Sequence, residues 1–128
     1  MAAGNYPPEL RYHAEHGWAL VGGDQATLGI SWFAQDALGE VVFVEPPELG
    51  AAIIAGESYG EVESLKAISD LIAPLSGKVI ELNGALAADA ELINAAPYGA
   101  GWLIKIQLSD HGEADLLMSA EAYEATLS

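Results

Sequence analysis

Short β-prone runs broken by turn residues constrain this chain more than any other feature. Seven occur: Trp18–Val21, Ala26–Ile30, Glu40–Val44, Tyr59–Leu65, Ala67–Ala73, Lys78–Leu82 and Trp102–Leu108. Runs of this length match single strands, and their spacing predicts a barrel or sandwich rather than alternating βαβ units. Gly22-Gly23-Asp24 between the first two runs is a hairpin signal, because such residues accept the positive φ that tight primed turns require. Three short helices are expected around the strands. Ser31 caps one that has Phe33, Ala34, Ala37 and Leu38 on its inner face and ends at Gly39. Asp110, with Glu113 three residues on, caps a second. Ser119 caps a third, in which Ala120, Tyr123 and Leu127 share a side. Residues 1–9 are expected to form a loose tail ending in Pro7-Pro8, and residues 10–128 a single domain.

Composition narrows the function classes. Apolar residues make up 52% of the 128, which is enough for a core despite a net charge of −15. The acidic excess opposes binding to nucleic-acid backbones and anionic membranes and favours basic protein surfaces. With no cysteine there is no disulfide, thiolate metal site or cysteine nucleophile. No apolar run approaches the roughly 20 residues that span a bilayer. The N-terminal MAAGNYPPEL lacks the pattern of a secretory or organelle leader, so a cytoplasmic address is expected.

Against this background the stretch GEVESLKAISD, residues 60–70, stands out. It places Lys66, one of only three lysines, close to Glu61, Glu63 and Asp70. Neighbouring carboxylates stabilise an ammonium, whereas a lysine nucleophile needs a depressed pKa, so Lys66 is poorly suited to Schiff-base chemistry. Two readings remain: an ordinary solvated lysine, or an attachment point displayed on a turn for a modifying enzyme. Gly60-Glu-Val62 and Gly77-Lys-Val79 echo one another, and aligning them sets Lys66 opposite Asn83-Gly84, a hairpin-turn signal. The echo therefore favours a turn at Lys66.

Other candidates are weaker. His13 and His16 lie in a segment read as extended from Tyr12 to Trp18, which sends them to opposite faces and away from a shared metal. His111 has no obvious partner. Glu40, Glu45 and Glu48 could supply a hydrolytic carboxylate pair, yet nothing selects two of them over solvated edge charges. No phosphate-binding loop, dinucleotide fingerprint or nucleophile elbow is present.

GEVESLKAISD followed by Ala73-Pro-Leu-Ser-Gly77 resembles the lipoyl-lysine hairpin of the glycine cleavage system H protein family. The resemblance extends to Tyr12-His-Ala-Glu-His16 before Trp18, to Gly29-Ile-Ser31, and to Ala34-Gln-Asp-Ala-Leu-Gly39. It continues through Glu40-Val-Val-Phe-Val-Glu-Pro46, Leu92-Ile-Asn94, Pro97-Tyr-Gly-Ala-Gly-Trp-Leu-Ile-Lys105 and Ala120-Glu-Ala-Tyr123, covering about Leu10 to the C-terminus. It implies a mainly β barrel-sandwich hybrid of the lipoyl/biotinyl type with short flanking and C-terminal helices. It also implies lipoate in amide linkage on Lys66, and a non-catalytic carrier of the aminomethyl group derived from glycine. The partners so implied are a pyridoxal-phosphate glycine decarboxylase, a tetrahydrofolate-dependent aminomethyltransferase, a flavin dihydrolipoyl dehydrogenase and a lipoylating enzyme. Glu61, Glu63, Ser64 and Asp70 would mark the hairpin for those partners. An alternative within the same fold is a lipoate relay serving other complexes. A biotin carrier is disfavoured, because Leu65-Lys66-Ala67 lacks flanking methionines. Leu65, Ile68, Trp32 and Gly17 depart from the family pattern, and none of them removes the acceptor lysine.

Overall fold

A computed structural model describes residues 5–127. The first hairpin follows from its turn chemistry. Strands β1 (Arg11–Tyr12), β2 (Gly17–Gly22) and β3 (Gln25–Ile30) run antiparallel, and Gly23 turns β2 into β3 at φ 63°. Next come β4 (Val41–Glu45), β5 (Ala52–Ile53), β6 (Ser58–Ser64), β7 (Ile68–Ile72), β8 (Gly77–Leu82) and β9 (Ile104–Leu108). They form two antiparallel sheets, one of six strands ordered β1-β2-β3-β9-β8-β5 and one of three ordered β4-β6-β7. All seven expected runs are strands. β1 and β5, two residues each, escaped the sequence reading because so short a pairing carries no periodic signal.

Alternation along the strands builds the core. Leu28, Val79, Ile104 and Ile106 of the large sheet join Val41, Val62 and Leu71 of the small one in a single buried cluster. Burying each such side chain contributes on the order of 1.5–3 kcal/mol. A second cluster gathers Leu10, Tyr12, Trp18, Ala120 and Tyr123, with the Tyr12 and Tyr123 rings stacked at 4.9 Å. Tyr6, inside the segment expected to be a loose tail, is buried in this cluster.

Helix α1 (Trp32–Leu38) has its expected caps: Ser31 Oγ accepts from Ala34 N at 3.3 Å, and Gly39 closes it at φ 79°. Its inner face differs from expectation, because Ala37 is exposed and Gln35 is the buried residue. Gln35 is tolerated there because its Oε1 accepts from Asn94 Nδ2 at 3.0 Å. Two four-residue helices, α2 (Ala85–Ala88) and α3 (Leu92–Ala95), were not anticipated. Asn83-Gly84 is not a hairpin turn. Asn83 Nδ2 donates to Ala100 O and Trp102 O, both at 2.8 Å, its Oδ1 accepts from Ala85 N, and Gly84 in right-handed helical conformation opens α2. The echo that aligned Lys66 with this dipeptide therefore has no structural counterpart.

Asp110 caps a six-residue 3₁₀ segment, His111–Leu116, by accepting from Gly112 N. Glu113 does not reach back to that cap. Its carboxylate accepts from Ser76 N at 2.7 Å and Ser76 Oγ at 2.9 Å, fastening the segment to the loop before β8. Helix α4 (Ala120–Thr126) is capped by Ser119, as expected, and inserts Tyr123 into the aromatic cluster. His13 to Gly17 is a reversal joining β1 to β2, with His16 at φ 76°, and not an extended segment. His111 does have a partner, Asp24 Oδ1 at 2.9 Å.

Candidate functional site

β6 and β7 form a hairpin whose connection is Leu65-Lys66-Ala67. Ser64 builds the turn. Its backbone N–H donates to Ala67 O at 2.8 Å, while its Oγ accepts from Lys66 N at 3.3 Å and Ala67 N at 3.1 Å and lies 3.3 Å from Ala67 O as donor. A serine hydroxyl does this well because it is small and both gives and accepts. Ser64 is buried, so any effect it has on recognition acts through the shape of the turn. Leu65 N donates to Glu40 O at 3.1 Å, which ties the tip to the start of β4.

Lys66 is exposed, as are Leu65 and Ile68 on either side. Among the described residues the lysine–carboxylate ion pair is Lys105–Glu81 at 3.8 Å, so no carboxylate holds Lys66. Glu61, Glu63 and Asp70 are exposed on the same hairpin, with Glu61 opposite Asp70 and Glu63 opposite Ile68. The lysine stem passes over bare backbone at Gly39: a Cβ there would stand 3.5 Å from Lys66 Cε.

Beside the tip, between α1 and β7, lies a groove of about 350 Å³. Phe33, Ala37 and Ile68 give it apolar surface, and Glu15, His16 and Asp70 give it polar groups. His16 Nδ1 is 2.7 Å from Tyr123 Oη, which is 2.8 Å from Ser31 Oγ. Burial lowers the His16 pKa, partly opposed by Glu15. Asn94 braces the groove from behind. Its Oδ1 accepts from Val41 N at 2.9 Å, and its Nδ2 donates to Gly39 O at 2.8 Å as well as to Gln35.

The sequence singles out the tip and its carboxylates but gives no role to Glu15 or Asn94, puts Phe33 only on the inner face of the first helix, and puts His16 only on an extended segment away from a shared metal. Three elements distant in sequence converge there, and no local spacing announces them. Trp32, one of the departures noted above, is half-buried against the aromatic cluster, and its backbone N–H donates to Tyr98 Oη at 2.8 Å.

Fold and site together define a display scaffold: a β domain that holds one exposed lysine at a stiff hairpin tip beside a groove. The family model described as glycine cleavage H-protein matches residues 10–128. The chain belongs to that family, whose members are carrier proteins. It is 51% identical over 121 residues to the glycine cleavage system H protein of Symbiobacterium thermophilum, with 94% of each chain covered. To the H protein of Alcanivorax borkumensis it is 50% identical, again with 94% of each covered. A crystal structure of a glycine cleavage system H protein from Mycobacterium marinum superposes with TM-score 0.87 at 43% identity, covering 94% of this chain and 98% of that one. The expected mainly β fold is present as two sheets that share a core.

Proposed function

We propose that Lys66 is amide-linked to lipoate and that the chain shuttles the aminomethyl group derived from glycine. Its partners in this reading are a pyridoxal-phosphate glycine decarboxylase, a tetrahydrofolate-dependent aminomethyltransferase and dihydrolipoyl dehydrogenase. The observation that carries the proposal is an exposed, unpaired lysine on a stiff hairpin tip in a chain matched to the family over residues 10–128. Attached lipoate supplies a long reach and a disulfide that can be reduced and reoxidised.

The residues present suit that group. Lys66 has no carboxylate to leave before its Nζ forms an amide, and Gly39 leaves room for its stem. Ser64 fixes the turn, so partners meet the lysine in one place. Phe33 and Ile68 offer apolar surface in the groove, and the carboxylates of Glu15 and Asp70 favour a cationic group there. Tethering raises the local concentration of a carried group at each docked partner without any new contact. Glu61, Glu63 and Asp70 present negative charge to basic docking surfaces.

Intact mass of protein from a lipoate-competent host tests the attachment. The expected result is a lipoyl increment that Lys66→Arg abolishes, and unmodified wild-type protein would overturn it. Glycine–bicarbonate exchange with a glycine decarboxylase then separates roles: loaded protein should support exchange, and exchange at background level would point to a lipoate relay.

A further inference from the structure

The outer face of the three-stranded sheet carries the hairpin's acidic pattern onto β4. Residues directly opposed across strands project to the same side. The register sets Phe43 beside Glu63 beside Ile68, and one row further from the tip it sets Glu45 beside Glu61 beside Asp70. All six are exposed, while Val62 in the intervening row is buried. The face therefore carries an apolar–acid–apolar row next to the lysine, followed by three carboxylates abreast. Like charges directly opposed across strands are destabilising, and no ion pair among the described residues relieves these three.

Phe43 makes the face more than an acidic patch. It is 53% exposed and Ile68 64% exposed, on a strand that bulges between Val41 and Phe43. Bulges re-aim side chains, and Val42 is exposed as well. An exposed aromatic beside unrelieved charge is the composition of a docking anchor with a charged rim.

We infer that this face, anchored by Phe43 and rimmed by Glu45, Glu61 and Asp70, is gripped by a cationic surface of the enzyme that attaches lipoate to Lys66. The inference rests on the reading of Lys66 as the attachment point. Charge complementarity sets the sign of the partner surface. Reach selects which partner it is. An enzyme that joins a carboxyl group to Nζ must bring its active site to Lys66 itself, so its footprint has to cover the adjoining row, where Ile68 is two residues from the lysine. Enzymes that act at the far end of a long arm can dock elsewhere. Phe43 and Glu45 lie more than twenty residues before the lysine in the chain and enter the footprint only through strand pairing.

The test measures lipoylation of the full-length apo protein by a purified lipoate-attaching enzyme at varied protein concentration and salt. Phe43→Thr and the Glu45→Lys, Glu61→Lys double variant should each raise the KM for the protein about tenfold with kcat nearly unchanged. The charge variant should also lose most of its salt dependence. Val21→Ser, at an exposed site on the large sheet, serves as the control for generic surface change, and thermal melts verify folding. Should Phe43→Thr not fold, Glu45→Gln and Phe43→Val carry the same KM comparison at less structural risk. If wild type takes up no lipoate, the reading of Lys66 fails. If wild type loads and the folded variants keep its KM, the docking inference alone is overturned. Unchanged lipoylation combined with impaired exchange of preloaded variants would give the face to a different enzyme and would also overturn it.

Discussion

Asn94→Ala should loosen the groove and the tip together. The side chain makes three hydrogen bonds that join α3 to α1 and β4, at 2.8–3.0 Å. The Val41 N–H is the costly one to orphan, because Val41 is fully buried. An unsatisfied buried donor costs about 1–3 kcal/mol, and the two lost donations to Gln35 and Gly39 add about 0.5 kcal/mol each. The sum is about 3 kcal/mol. With a urea m-value of about 2 kcal/mol/M, the unfolding midpoint should fall by about 1.5 M. Gln35→Ala removes only one of the three bonds and should cost about 0.5 kcal/mol, or about 0.25 M. Hydrogen exchange gives a local check: the Val41 amide should lose protection in Asn94→Ala and keep it in Gln35→Ala. Equal midpoints for the two variants, or a protected Val41 amide in Asn94→Ala, would refute the reasoning.

Two further outcomes follow from packing and burial. In Gly29→Ala the new Cβ would meet three Trp18 ring atoms at 2.5–2.6 Å, and the indole is pinned by its N–H to Pro97 O at 3.0 Å. A loss of about 2–3 kcal/mol and a Tm lower by about 10 °C are expected in a thermal melt, with altered tryptophan fluorescence. Burial, opposed by the Ser31 hydrogen bond, pushes the Tyr123 hydroxyl from 10.0 up to about 12. The native state therefore keeps a proton that the unfolded chain gives up. Stability should be full below pH 10 and fall between pH 10 and 12, a slope in urea midpoints that Tyr123→Phe should reduce.

What the sequence disclosed and what it hid divides along the range of the interactions. Ser31, Gly39 and Ser119 bond within a few residues of themselves, so their caps can be read locally, as can the turn at Gly23. Asn83 looked like a turn residue because the dipeptide rule assumes its side chain stays local. It bonds instead to carbonyls 17 and 19 residues away, and the chain starts a helix there. Glu113 fits a capping-box pattern for the same reason, yet its partner Ser76 lies 37 residues back. Gln35 would be assigned to solvent by polarity, yet Asn94 satisfies it inside. Two sequence features mark the lysine tip: the echo with Asn83-Gly84, which has no counterpart in the fold, and the run of residues around Lys66 that resembles the family. The groove at its side assembles Glu15, Phe33 and Asp70 from three stretches of chain, and only the folded register brings them together.

On the reading of Lys66 as the attachment point, Ser64 has a consequence for transport. Because its hydroxyl and backbone lock the turn, motion beyond the hairpin originates in single-bond torsions past the Cα of Lys66 and not in a wagging loop. A fixed pivot confines a tethered group to a shell of constant centre, so the frequency with which it meets a docked active site is set by tether length and by where the partner sits. A floppy turn would smear that centre and dilute the encounter. Under this geometry, a serine that touches no cargo regulates the traffic by keeping the hinge of the gate in one place.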